Sequence, residues 1–267
     1  MKRLFIFAAY CPDGTIPRSL QYYLKALGEC GDVVFASDSE LGPGAQDLLA
    51  PLVLHAEGSR HGEYDFGSYK RAYVWAAEEG ILGSYDMLYL VNDSVFGPLF
   101  PLEDCLLRME SKGTGASCIA YNPHHAHPHM QSWFVGLRSD VFASGWFDSF
   151  IRSVVRQESK EAVCVAYENG LTELVASHGV SVSGLYEIKG RRIYNNPRDL
   201  FRMGFPFVKK DSFRRHGGSL GGQLKWVCDR MEPDLRRAVL SEIPEGLLTS
   251  NPLKIAARYL TYLSGKL

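Results

Sequence analysis

The sequence is short of several features that would settle its function at once. Neither charge is in surplus: 29 Lys and Arg stand against 30 Asp and Glu, a formal net charge of −1. Nothing in that balance calls for nucleic acid as a partner. No apolar run approaches the roughly 18 residues that a membrane-spanning helix needs. The six cysteines, Cys11, Cys30, Cys105, Cys118, Cys164 and Cys228, include no pair at CxxC spacing. That argues against a zinc knuckle or a dithiol redox centre. They read as small core residues of a reduced cytoplasmic protein. Neither GxGxxG nor a P-loop GxxxxGKS or GxxxxGKT occurs, so the usual phosphate-cradling glycines are missing. GxSxG occurs once, at Gly217-Gly218-Ser219-Leu220-Gly221, with no strand expected directly before it as a nucleophile elbow requires, and there is no HExxH zinc helix.

The N-terminus, MKRLFIFAAY, starts basic but is too briefly apolar for a signal peptide, and Leu4 to Ala9 reads as a first buried strand. After Pro17 a helix places Leu20, Tyr23, Leu24 and Leu27 on one face. Strands are expected at 32–36, 52–56 and 87–91, and a helix has Tyr69, Ala72, Tyr73, Ala76 and Ala77 on its inner face. This alternation is the signature of βαβ units and a parallel sheet. Further on, the pattern predicts helices at 102–110 and 167–178 and strands at 117–121, 132–137 and 180–186. Residues 191–215 are basic and loop-rich. The tail repeats Leu253, Ala256, Ala257, Leu260 and Leu263 at helical spacing, with Lys254, Arg258 and Lys266 beside them. Such a helix either packs on the domain or lies in a membrane surface. The expected architecture is α/β: a mostly parallel, Rossmann-like sheet sandwiched by helices over residues 1–200. A helical C-terminal appendage over 201–267 packs on the same domain.

The stretch Tyr85 to Leu99, YDMLYLVNDSVFGPL, is a buried strand that stops at Asn92-Asp93-Ser94. In an open α/β sheet, ligands sit at the carboxyl ends of strands. Polar clusters also occur at Tyr10 to Thr15, Ser37-Asp38-Ser39 and Tyr64-Asp65-Phe66-Gly67. Each has an ordinary alternative as a turn or a helix cap. Four histidines, 124, 125, 127 and 129, crowd one loop. Two prolines make that loop a better solvated segment than a zinc site, while His129 leads into a strand and is placed to line a cleft.

The blocks Glu63-Tyr64-Asp65-Phe66-Gly67-Ser68-Tyr69-Lys70 and Asn92-Asp93-Ser94-Val95-Phe96-Gly97-Pro98-Leu99 then take on further meaning. Together with His129-Met130-Gln131-Ser132-Trp133-Phe134, Tyr167-Glu168-Asn169-Gly170-Leu171-Thr172 and Pro206-Phe207-Val208-Lys209-Lys210, they occur in the order of a known family. The chain resembles the rhamnan-synthesis F family of bacterial glycosyltransferases, and through it GT-A-type nucleotide-sugar enzymes. The resemblance covers roughly residues 1–215.

It implies transfer of a sugar, L-rhamnose from dTDP-rhamnose, to a growing cell-surface polysaccharide or lipid-linked glycan. The enzyme would work in the cytoplasm or peripherally at the inner membrane face. Asp93 would hold Mg²⁺ or Mn²⁺ against the diphosphate, with Asn92 and Ser94 completing the shell. Tyr10, Asp38, Asp65, Gly67 and Lys70 would bind the donor. His129, Gln131 and Trp133 would contact the acceptor or a sugar. Glu168 would be the base that deprotonates the acceptor hydroxyl, although a helix-start carboxylate also has a capping role. The usual metal motif has two aspartates; here Asn92-Asp93-Ser94 has one. That leaves open a metal-independent transferase, in which Lys or Arg carries the diphosphate charge. It also leaves open a non-catalytic sugar- or nucleotide-binding module.

Overall fold

The computed structural model describes residues 1–263, without the side chains of residues 216 and 217; Lys266 lies outside the described residues. The chain divides into two compact units. One comprises Met1–Ile16, Leu24–Asp93 and Leu102–Ile188. The other comprises Pro17–Tyr23, Ser94–Pro101 and the described residues from Lys189 onward. The expected division near residue 200 compares with a boundary at Ile188. Of the two short early segments in the second unit, Ser94–Pro101 supplies a strand to it.

In the first unit β1 (Arg3–Ala9), β2 (Asp32–Ser37), β3 (His55–Gly58) and β4 (Met87–Asn92) run parallel in the order β3-β2-β1-β4. Every residue of β1 and β4 is buried, as their continuous apolar composition requires. The next strand in sequence, β5 (Val95–Phe96), belongs to the other unit. Beyond β4 lie β6 (Ala116–Asn122), β7 (His129–Met130), β8 (Phe134–Arg138) and β9 (Val182–Glu187). β8 is antiparallel to both β4 and β6, β7 is antiparallel to β6, and β9 is parallel to β6. This is the α/β, mostly parallel sheet flanked by helices that the sequence predicts.

Alternate residues of a strand face opposite sides. Leu4, Ile6 and Ala8 face a core that includes Phe66, Tyr69, Ala72, Tyr73 and Ala76 of the helix Tyr64–Glu78. Phe5 and Phe7 stack on Tyr89 and Phe35, at 5.1 and 5.9 Å between ring centroids. β3 begins three residues later than expected, because Pro51 and Leu52 still belong to the turn that follows the helix Pro43–Leu49. The six thiols are all free, and burial pushes those of Cys105 and Cys228 up to about 12.

In the second unit β5 pairs antiparallel with β10 (Val208–Lys209). Phe96, Val208, Phe213, Leu224, Val227, Leu235 and Val239 form its core. The basic stretch after residue 190 is more regular than its composition suggests. It contains the short helices Arg192–Asn195 and Pro197–Arg202, followed by Gly221–Cys228 and Pro233–Glu242. The tail helix, Pro252–Leu263, forms as expected. No helix among the described residues is long and apolar enough to cross a membrane.

Candidate functional site

The strand order of the first unit reverses between β1 and β4, the position where an open α/β sheet leaves a crevice at its carboxyl edge. Two clefts of about 380 Å³ mark this unit. One lies at the start of β2, around Asp32 and Val33, away from the polar clusters. The other lies beyond the ends of β1 and β2, lined by Tyr10, Asp13, Gly14, Ser39, Glu40 and Arg60 among others. Position favours the second as a ligand site.

Asp38 follows β2. Its Oδ1 accepts the backbone N–H groups of His61 and Gly62, each at 2.8 Å. His61 is held in turn: its Nδ1 accepts the Glu63 N–H at 3.1 Å, and its Nε2 lies 3.1 Å from Ser68 Oγ. An accepting Nδ1 fixes the neutral tautomer with its proton on Nε2, which donates to Ser68. Burial pushes the His61 pKa down; the charge of Arg71 adds to this, against the pull of Asp38 and Glu63. Gly67 sits beneath this loop. A Cβ there would come within 2.7 Å of the His61 ring and collide with Glu63. The close approach that Gly67 permits is therefore made by His61 of the same chain. Tyr64, next in line, has φ +57°, the one non-glycine residue described with positive φ. That conformation costs a bulky residue about 1–3 kcal/mol and is concentrated at functional sites.

The strained turn delivers Asp65 into the first turn of its helix, where Oδ2 accepts Asn92 Nδ2 at 2.7 Å. Asn92 is buried and its backbone N–H donates to Trp133 O at 3.1 Å. Asp93 Oδ2 lies 3.4 Å from the Tyr10 N–H. Tyr10 is half exposed. Lys70 Nζ donates to Val154 O at 2.7 Å. Ser94, on the second unit, has its hydroxyl against Lys209 Nζ at 2.9 Å.

Glu168 lies in a π-helical turn, Cys164–Asn169, rather than at the regular helix start that the sequence suggests. Such wide turns recur at functional sites. Its Oε2 accepts both the N–H (2.8 Å) and the hydroxyl (2.6 Å) of Ser132, and its Oε1 is 3.7 Å from His129 Nε2. The His129 Nδ1 faces the His127 carbonyl at 2.8 Å. Ser132 O accepts the Tyr69 hydroxyl at 2.9 Å. Gln131 and Trp133, expected on a sugar, are 8% and 3% exposed, and Trp133 Nε1 donates to Gln131 Oε1 at 3.1 Å. A buried pair of this kind offers no stacking face. It holds the Ser132 backbone, which the carboxylate then reads.

The result is one hydrogen-bonded series: Asp65 to Asn92, Asn92 to the Trp133 carbonyl, and the neighbouring Ser132 to Glu168. Asp93 and Tyr10 stand at its start, and His129 at its end. Ser132, His61 and Tyr64 carry much of this geometry and were assigned no role from sequence. Ser132 lies inside a block that carries the family resemblance, and His61 lies two residues before another. Nothing about a tyrosine signals a positive φ. Among the described residues no three His, Cys, Asp or Glu side chains gather as a metal shell. Magnesium, however, is commonly held by one or two carboxylates plus substrate phosphates. Asp93 fits that simpler arrangement.

Solved structures resemble the chain only distantly. A protein described as a nucleotide-diphospho-sugar transferase from Desulfovibrio desulfuricans G20 is 15% identical over 80% of this chain and 91% of its own, with a TM-score of 0.42. S. aureus TarS 1-349 is 10% identical, over 99% of this chain and 72% of its own, with a TM-score of 0.46. Core-mannan synthase A from Aspergillus fumigatus, in its Mn/GDP form, is 10% identical, over 64% of this chain and 70% of its own, at 0.38. Likeness at these scores carries no argument about what this chain does. Among curated proteins none matches it by sequence. The model of rhamnan synthesis protein F matches residues 33–239, well over half of the chain, and the chain belongs to that family.

Proposed function

We propose that the protein is a glycosyltransferase using a nucleotide-sugar donor, and that the donor is dTDP-L-rhamnose. The acceptor is a growing surface polysaccharide or a lipid-linked glycan. The family match supports the reaction class. The observation that carries the assignment of roles is the series linking Asp65, Asn92 and Ser132 to the carboxylate of Glu168, with Asp93 and Tyr10 beside Asn92.

In the proposed reaction the acceptor hydroxyl oxygen attacks the anomeric carbon. The bond from that carbon to the diphosphate breaks, and the electron pair leaves with the nucleoside diphosphate. Glu168 takes the hydroxyl proton, an effect typically worth 10²–10⁴ in rate. Ser132 fixes one of its carboxylate oxygens, and the other remains directed toward His129. Tyr10 and Asp38 belong to the donor side. Gly67 acts there through the loop packed on it, and Lys70 through the charge it carries near that loop. Gln131 and Trp133 position Ser132, and His129 faces the acceptor. When a divalent cation is bound, Asp93 holds it and it neutralises the diphosphate.

The test is binding of dTDP-rhamnose by calorimetry and release of dTDP, with and without Mn²⁺, for wild type and Asp93→Ala. Loss of a contact to a charged group costs about 1.5–3 kcal/mol, so the variant binds on the order of tenfold or more weakly. Binding that needs Asp93 but not Mn²⁺ assigns a cation-free mode. Binding without turnover favours a non-catalytic module. No binding across a panel of nucleotide-sugars overturns the reading.

A further inference from the structure

The second unit concentrates two features that the chemistry above does not use. The first is charge. Residues 189–230 hold eleven Lys and Arg against three Asp, within a chain whose net charge is −1. No Asp or Glu follows Glu245. The second is the tail helix, Pro252–Leu263. Leu253, Leu260 and Leu263 are 80%, 64% and 61% exposed, and Tyr259 and Tyr262 are also exposed.

The helix is nevertheless held in place. Ile255, Arg258 and Thr261 on its other side are half-buried. The Arg258 guanidinium donates to the carbonyls of Leu247 (2.8 Å) and Gly246 (2.7 Å). The helix packs on Gly221–Cys228 and on the turn Arg215–Gly218. It thus presents its apolar side outward from a fixed base. Lys254 stands exposed on the helix itself, and Arg214 stands exposed one residue before the turn on which it packs.

We infer that this helix is an interfacial anchor that docks the second unit on an anionic lipid bilayer. Twelve residues span about 18 Å at 1.5 Å each. The described helix is not long enough to cross the ~30 Å hydrocarbon core, and with one side held on the protein it lies in the surface plane. Leucines enter the acyl boundary, and tyrosines sit at the headgroup level, which suits their amphipathic rings. Lysines and arginines within a Debye length of anionic headgroups strengthen the attraction. A second copy of the chain is a poorer occupant. Two-fold pairing through this helix would set Lys254 against its own copy, and the helix itself carries no acid to answer it. The inference is independent of the proposed transfer, so vesicle binding can fail while donor turnover stands.

The experiment is flotation of the full chain with vesicles of phosphatidylcholine alone or with phosphatidylglycerol, at low and high salt. Wild type floats with the anionic vesicles, and salt weakens the association. Leu253→Glu and Leu260→Glu, each at an exposed site and each checked by its melting curve, lower the partition coefficient on the order of tenfold. Lys254→Ser with Arg214→Ser lowers the association at low salt and weakens its salt dependence. Equal recovery with neutral and anionic vesicles, or none with either, overturns the proposal. So does a concentration-dependent dimer in light scattering that Leu260→Glu disperses, because it gives the face to a second copy.

Discussion

The same two strands, β1 and β4, end in opposite chemistry. At the amino edge of the sheet, Arg3 is buried and its guanidinium is fully engaged. Nε and Nη2 donate to the two oxygens of Glu110 at 2.6 and 2.9 Å. Nη1 and Nη2 donate to Glu103 at 2.6 and 2.9 Å, and Nη1 reaches Cys30 O at 3.2 Å. The Tyr89 hydroxyl completes Glu110 at 2.8 Å. The bond with Glu110 above all holds Arg3 charged, and the bond with Arg3 lowers the Glu103 pKa. At the carboxyl edge Glu63 pairs with Arg71 at 2.6 Å, but three other carboxylates meet neutral donors. Asp38 is on backbone N–H groups, Asp65 on the Asn92 amide, and Glu168 on Ser132. One edge closes its charges on themselves and is structural. The other sets carboxylates against backbone, amide and hydroxyl dipoles, an arrangement that the proposed site would use.

The comparison breaks if both edges respond alike to loss of a charge. The largest effect belongs to Glu168→Gln. The amide keeps an acceptor oxygen for the Ser132 N–H and hydroxyl, so the fold stands. Transfer then falls by about 10²–10⁴ with donor affinity little changed. Initial rates beside a melting curve check this, and a comparable loss of melting temperature would make Glu168 structural. Arg3→Met is its counterpart at the other edge. It strands the buried Glu110 and costs about 3–5 kcal/mol in urea unfolding, with donor binding unchanged in what folds. Adding Glu110→Gln recovers part of that loss, because the stranded charge is gone while an acceptor for Tyr89 remains.

How much of this could be read beforehand follows from the range of each interaction. The central strands were legible because a strand buried on both faces writes its burial as a continuous apolar run: Leu4 to Ala9 and Met87 to Val91. The edge strand β3, His55–Gly58, is half-buried and polar, so its start was misplaced. Asp65, Asn92, Asp93 and Glu168 could be named because each sits in a block with a family resemblance. Their arrangement could not. Ser132 and Glu168 meet across 36 residues, and the π-turn that aims Glu168 leaves no periodic trace in so short a helix. The burial of Trp133 was invisible for a related reason: an aromatic residue reads the same in a cleft and in a core. The joining of Ser94–Pro101 to the second unit rests on the two-residue pairing of β5 with β10, too short to leave a pattern.

The smallest effect sharpens the comparison at the carboxyl edge. His61 is neutral there, pushed below its ordinary range chiefly by burial and then by Arg71, while Asp38, Glu63 and Lys70 also act on it. A histidine with a lowered folded pKa binds fewer protons folded than unfolded. Its contribution to stability is present above the unfolded value of about 6.5 and is lost as pH falls through the folded one. The urea midpoint of the wild type should therefore drop between pH 7 and pH 5. In His61→Asn the amide oxygen can still accept the Glu63 N–H, yet nothing titrates, so the variant begins less stable and that part of the slope disappears. The amino edge titrates differently: the lowered pKa of Glu103 makes its contribution fail only as pH falls below the ordinary carboxylate range. Equal slopes for His61→Asn and wild type between pH 7 and pH 5 would mean that the ring is not the neutral strut of the loop at residues 61–63, and that Asp38 holds the loop through its two backbone bonds alone.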